Sequence, residues 1–78
     1  MRTYEVVIKV HEKVSKDDVV ATILDELNVL KINICKDITI EIEGEGYYDV
    51  ENAMFYVCQP FNSYVDYEYY ELDVDNLP

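Results

Sequence analysis

The second half of this chain contains no basic residue. All six Lys and Arg residues lie within positions 1–36, where six acids balance them, whereas positions 37–78 carry 11 acids and no base. The whole net charge of −11 therefore belongs to the second half of the chain. Proteins that bind nucleic acid or anionic membranes do so through Lys and Arg, so direct binding to either is disfavoured.

Residue types that carry common chemistry are also scarce. The chain has one His, two Cys, two Gly and no Trp, and it contains no Gly-rich phosphate loop, Cys/His metal motif or EF-hand spacing. We therefore predict no catalytic residue, no cofactor, no metal site and no enzymatic activity. Cys35 and Cys58 are too few for a disulfide scaffold, and no apolar run reaches the length of about 18 residues that spans a bilayer. A cytoplasmic protein with reduced thiols is expected.

Apolar residues, by contrast, make up half of the 78 residues. That composition is typical of a folded domain and not of a disordered acidic tail. The length predicts a single acidic α+β domain over 1–78, too small to bury a deep cleft.

The first half predicts a strand, a helix and a second strand. Residues 3–11 alternate, with Tyr4, Val6, Ile8 and Val10 facing inward. Ser15 and Asp18 form the pattern of a capping box before a helix over 16–30, and Lys31 would complement the dipole at its end. A short strand at Ile32 and Ile34 follows, with a bend at 35–37.

The second half predicts a strand, a helix and a last strand. Ile38, Ile40 and Ile42 alternate inward before Gly44, and Asp49 can cap a helix that Pro60 stops. Residues 53–58 would also suit a strand. The last strand covers about 64–74, and its apolar parity changes between Tyr69 and Tyr70, which indicates a bulge or an edge position. The order β-α-β-β-α-β is that of a ferredoxin-like fold, with two helices on one face of an antiparallel sheet.

The acids of the second half form alternating rows. Glu41, Glu43 and Glu45 would project from one side of a strand about 6.6–6.8 Å apart, which approximates the charge spacing of a nucleic-acid backbone. A second row comes from the last strand, with Asp66, Glu68, Glu71, Asp73 and Asp75. We predict that six of these carboxylates form an array that binds a basic partner: Glu41, Glu43, Glu45, Asp66, Glu68 and Glu71.

Tyrosines are interleaved with the acids. Tyr67 and Tyr69 are predicted contact rings, because Tyr offers a large contact area, a hydroxyl for Lys or Arg and a face for guanidinium groups. The alternative is that these rings fill the sheet face and the core of a domain without Trp.

With its small size, its acidity and its base-free half from Asp37 to Pro78, the chain resembles the acidic DNA-mimic proteins encoded by bacteriophages. Within that group the similarity is to host-takeover proteins of Bacillus phages that block the histone-like nucleoid protein HU. The resemblance implies a homodimer in the cytoplasm of a bacterial host, which occupies the DNA-binding surface of a basic protein and displaces DNA.

A second interpretation is a small acidic adaptor that docks on a polymerase or a nuclease through an apolar face or a sheet edge. Its acidity would then mainly provide solubility. A DNA mimic should lose affinity steeply with salt and compete with DNA, whereas an apolar adaptor should do neither.

Overall fold

The computed structural model describes residues 1–72, which form one antiparallel sheet and two α-helices. In chain order the elements are β1 (Arg2–Val10), α1 (Lys16–Glu26), β2 (Lys31–Ile34), β3 (Ile38–Gly44), α2 (Tyr47–Cys58), a 3-10 turn (Gln59–Tyr64) and β4 (Val65–Glu71). The strand order is β2-β3-β1-β4. Element order and sheet order confirm the predicted α+β fold with ferredoxin-like βαββαβ topology.

The core lies between the sheet and the helices. Alternate residues of the two central strands face inward and are buried, as their period of two predicted: Tyr4, Val6, Ile8, Ile38, Ile40 and Ile42. The helices bury one side each, through Val19, Ile23, Val50, Met54 and Val57. The opposite face of the sheet therefore carries the other half of each strand's side chains.

Helix α1 is shorter than the sequence predicts. It ends at Glu26 and not at residue 30, because Leu27 is already extended, with φ −121° and ψ 154°. The Leu30 N–H donates to the Glu41 carbonyl at 2.8 Å, so pairing with the sheet ends the helical period. Lys31 is the first residue of β2. The prediction that Lys31 complements the dipole at the end of α1 is therefore wrong.

The start of α1 also differs from the prediction. Ser15 occupies the N-cap position, but its side chain makes no capping hydrogen bond. Its backbone carbonyl accepts the N–H groups of Asp18 and Val19 at 3.1 and 3.2 Å. The predicted reciprocal capping box with Asp18 is therefore not formed.

Helix α2 resolves the ambiguity of residues 53–58, which are helical. The helix begins at Tyr47 after Gly46, so Asp49 is not its cap as predicted. Asp49 lies in the first turn, and its Oδ2 accepts the Glu45 N–H at 2.6 Å. It therefore ties the preceding loop to the helix and places a negative charge at the positive end of the helix dipole.

Strand β4 is a regular edge strand. It pairs with β1 in a continuous register from Tyr4 opposite Glu71 to Val10 opposite Val65, so the described part of the strand has no bulge. Of the two interpretations of the parity change, the edge position is the one observed. The strand covers 65–71 and not 64–74, and residues 73 and 74 lie outside the described part of the chain.

Candidate functional site

The face of the sheet opposite the helices is the strongest candidate for a functional surface. Alternation along the four strands places twelve side chains on this open face: Lys31, Asn33, Thr39, Glu41, Glu43, Thr3, Glu5, Val7, Lys9, Asp66, Glu68 and Tyr70. Five of these residues are acids and two are lysines. Because β1 lies between β3 and β4, acids that are distant in sequence become neighbours on the open face.

Four of the six predicted array acids reach the open face. Glu41 and Glu43 project from β3, while Asp66 and Glu68 project from β4. Glu5 of β1 joins them, although the sequence-based array did not include it. The alternation of the first strand already placed Glu5 on its outer side, but its neighbours depend on the strand order.

A row of four polar side chains crosses the middle of the open face. Lys31 lies opposite Glu41, Glu41 opposite Glu5, and Glu5 opposite Tyr70. The Tyr70 hydroxyl donates to Glu5 Oε2, and this hydrogen bond, with the adjacent carboxylate charge, raises the pKa of Tyr70. A shallow depression of about 280 Å³ lies beside the row and is lined in part by Lys31 and Glu41.

Lys9 offsets part of the negative charge on the β4 side. Its Nζ lies 3.1 Å from Glu68 Oε2. The hydrogen bond to Glu68 and the charges of Glu68, Asp37 and Asp66 raise the pKa of Lys9. Lys9 is thus surrounded by carboxylates. Glu41 and Glu43 of β3 lie further along the sheet, opposite Glu5 and Thr3.

Two predicted array acids lie away from the open face. Glu71 is directly opposite the buried Tyr4, so it points to the helix side, where its Oε2 lies 3.8 Å from Arg2 Nε. Glu45 lies in the loop that follows β3. The predicted rows are therefore divided between two faces and a loop, and Asp73 and Asp75 lie outside the described residues.

The two predicted contact tyrosines lie on the helix side of β4. Tyr67 and Tyr69 alternate with Asp66 and Glu68, so their rings point away from the open face and are half-buried. Their ring centroids are 6.1 Å apart, and the Tyr69 ring lies 5.9 Å from that of Tyr47. These rings pack β4 against α2, and only Tyr70 of this strand contributes a ring to the open face.

A hydrogen bond strengthens this packing. The Tyr69 hydroxyl donates to Glu51 Oε2 on α2 at 2.7 Å. The bond to a carboxylate, with partial burial, raises the pKa of Tyr69 to about 12. Tyr69 and Glu51 therefore act as a link between β4 and the helix.

The helix side carries a second, more apolar feature. A groove of about 580 Å³ runs between α2, the 3-10 turn and β4, and its lining includes Phe55, Cys58, Asn62 and Tyr67. Phe55 and Tyr56 are more than half exposed and pack edge to face. Burial raises the pKa of the Cys58 thiol. The sequence pattern of this segment suits a helix or a strand and does not indicate an exposed aromatic pair.

Neither a metal centre nor a membrane span is visible in the part of the chain that the structure describes. Within residues 1–72, no three His, Cys, Asp or Glu side chains converge as metal ligands would. No helix among these residues has the length and hydropathy to cross a bilayer.

No protein-family model matches the chain, and searches of curated proteins and of solved structures found no significant similarity. The resemblance to phage DNA mimics thus stays a prediction.

Proposed function

We propose that this protein is a non-enzymatic DNA mimic whose open face binds the DNA-binding surface of a basic host protein and displaces DNA. The histone-like nucleoid protein HU is the favoured partner. The observation that carries the proposal is the collection of five carboxylates from three adjacent strands on the face of the sheet opposite α1 and α2.

The spacing of these acids supports binding to a surface that neutralises phosphates. Alternate residues along a strand are about 6.6–6.8 Å apart, and neighbouring strands are about 4.8 Å apart. The open face therefore presents a two-dimensional set of negative charges instead of one line. Exposed ion pairs contribute only about 0–1 kcal/mol each, so competition with DNA needs several of them at once.

The experiment is a competition assay in which HU, labelled DNA and this protein are titrated at graded salt. A triple variant, Glu41→Gln, Glu43→Gln and Asp66→Asn, removes three charges from the open face. The matched control, Asp17→Asn, Asp25→Asn and Glu26→Gln, removes three exposed charges from α1. We expect the first variant to lose affinity for HU and to show a flatter salt dependence. The control should bind HU with the affinity and the salt dependence of the parent chain.

Equal losses in the two variants would show that only net charge matters and would contradict a specific role for the open face. The homodimer implied by the resemblance also stays a prediction, and sedimentation equilibrium measures it directly.

A second candidate is the acidic adaptor that docks on a polymerase or a nuclease. The exposed pair Phe55 and Tyr56 beside the α2 groove favours it, because exposed apolar patches mark interaction sites. In a pull-down from bacterial lysate, an adaptor would retain its partner at high salt and lose it on Phe55→Ser. A DNA mimic would lose its partner at high salt and retain it on Phe55→Ser.

A further inference from the structure

We infer that the outer edge of β4 binds an extended segment of a partner in which basic and apolar residues alternate, and that this segment becomes a fifth strand of the sheet. The inference goes beyond the proposed function, because it adds recognition through the backbone to recognition by charge. It depends on the direction of the β4 backbone groups, on the side chains that flank them and on the charge of the strand.

The backbone groups of alternate β4 residues point away from the sheet. The His11 N–H donates to the Tyr64 carbonyl and the Leu72 N–H to the Thr3 carbonyl, both at 2.8 Å. In an antiparallel pair the residues that exchange such bonds alternate with residues that do not. The register therefore directs the N–H and C=O groups of Tyr67 and Tyr69 outward, and with them those of Val65 and Glu71.

Each side of this edge offers a different environment. On the open face an added strand would have Asp66 and Glu68 as its neighbours. On the helix side it would have Tyr67 and the groove that Phe55 and Cys58 line. Because side chains alternate along a strand, the segment that fits places Lys or Arg on one side and apolar residues on the other.

Charge decides between such a segment and a second copy of this protein. The sequence of β4 is VDYEYYE, which has three acids and no base. Antiparallel pairing of two copies would place carboxylates beside carboxylates, and like charges across strands are destabilising. A basic segment converts the same acids into favourable neighbours.

One hydrogen bond at the edge would be exchanged on binding. The Tyr67 N–H, which points outward, donates to Asp66 Oδ1 at 3.1 Å. A carbonyl of the added strand would replace this acceptor. The Asp66 carboxylate would then be free to pair with a basic side chain of the segment.

The test uses peptides of seven residues, the length of β4. One peptide alternates Lys and Val, and a second has the same composition with its Lys residues grouped. A third is the alternating peptide N-methylated at those alternate amides that would face β4. Binding to the 15N-labelled full chain is followed by NMR and amide hydrogen exchange. We expect only the first peptide to slow exchange of the Tyr67 and Tyr69 amides. The expected effect is about tenfold or more when the free peptide concentration is about ten times the dissociation constant.

Variants separate the charge contribution from general acidity. Asp66→Asn with Glu68→Gln should weaken binding of the alternating peptide about three- to tenfold. The control, Asp17→Asn with Asp18→Asn on α1, should leave it unchanged. Equal binding of the N-methylated peptide, or binding without protection of the Tyr67 and Tyr69 amides, would overturn the inference.

Failure of this inference differs from failure of the proposed function. If no peptide binds the β4 edge but the protein still competes with DNA for HU, the edge inference falls and the open-face proposal stands. If the alternating peptide binds the β4 edge but HU does not bind the protein, the edge inference stands and the open-face proposal falls.

Discussion

Glu41 of β3 and Glu5 of β1 are direct partners across the central antiparallel pair, with both side chains on the open face. Like charges in this position are destabilising. Two neighbours in the same row relieve the repulsion, because Lys31 lies opposite Glu41 and the Tyr70 hydroxyl donates to Glu5. The acids on this face therefore oppose folding while they form the charged surface that the proposed function needs.

A double-mutant cycle should measure this repulsion. We expect Glu5→Gln and Glu41→Gln, made singly and together, to give an unfavourable coupling of about 0.2–1 kcal/mol in the free energy of unfolding. Urea unfolding at low salt provides the four values. The coupling should shrink in about 1 M salt, where the screening length falls to about 3 Å. A favourable or salt-independent coupling would show that the two carboxylates do not repel each other as their register predicts.

Partner binding should respond with opposite signs to two residues that face each other. Lys31→Gln removes a positive charge from the open face and should tighten binding to HU, whereas Glu41→Gln should weaken it. Each change should be several-fold at low salt, in line with about 0–1 kcal/mol per exposed pair. Fluorescence anisotropy measures both affinities, and Lys13→Gln, outside the sheet, is the control. Weakening by both Lys31→Gln and Glu41→Gln would indicate a partner that is not uniformly basic at this face.

Local periodicity predicted the order of elements that is observed, but it left residues 53–58 open between a helix and a strand. The alternation of Tyr4, Val6 and Ile8 and of the isoleucines in β3 places these residues in the core as expected. The end of α1 could not be predicted in this way. The residues before β2 continue the helical pattern, but the Leu30 N–H bonds to the Glu41 carbonyl of β3.

The composition of the open face depended on contacts between distant parts of the chain. Glu41 of β3 and Glu68 of β4 share a face because β1 pairs with both strands, which no local pattern of either strand reveals. The roles of the tyrosines followed from the same register. In a strand without a bulge, Tyr69 must face α2 when Tyr70 faces the open side, so the predicted contact ring became a packing residue.

Removal of the Tyr4 hydroxyl should stabilise the fold. Tyr4 is fully buried, and its hydroxyl makes no hydrogen bond of normal geometry among the described residues, although its interaction with the Arg2 side chain raises the pKa of Arg2. An unsatisfied buried polar group costs about 1–3 kcal/mol, so Tyr4→Phe should raise the free energy of unfolding by about 1 kcal/mol. Thermal unfolding should show a Tm increase of about 4–8 °C. The control is Tyr70→Phe, which removes a hydroxyl that donates to Glu5 and should not stabilise. A lower Tm for Tyr4→Phe would show that the hydroxyl has a partner after all.

Alkaline pH should release the link between β4 and α2. The pKa of Tyr69 is raised from 10.0 to about 12, mainly because its neutral hydroxyl donates to Glu51. Because the pKa of Tyr69 is higher in the folded than in the unfolded chain, the stabilisation from its hydrogen bond to Glu51 is complete below about pH 10. This stabilisation is lost as the pH rises through about 12. Tyr69→Phe should therefore lower stability at neutral pH and reduce the loss of stability between about pH 10 and 12.

Urea unfolding at a series of alkaline pH values measures this difference. Tyr48→Phe is the matched control, because Tyr48 is 66% exposed on α2. Lysine deprotonation affects both variants and the parent chain alike, so only the Tyr69 variant should change the slope. An unchanged slope in Tyr69→Phe would mean that deprotonation of Tyr69 is not coupled to unfolding, and that the contact with Glu51 does not hold β4 against the helix.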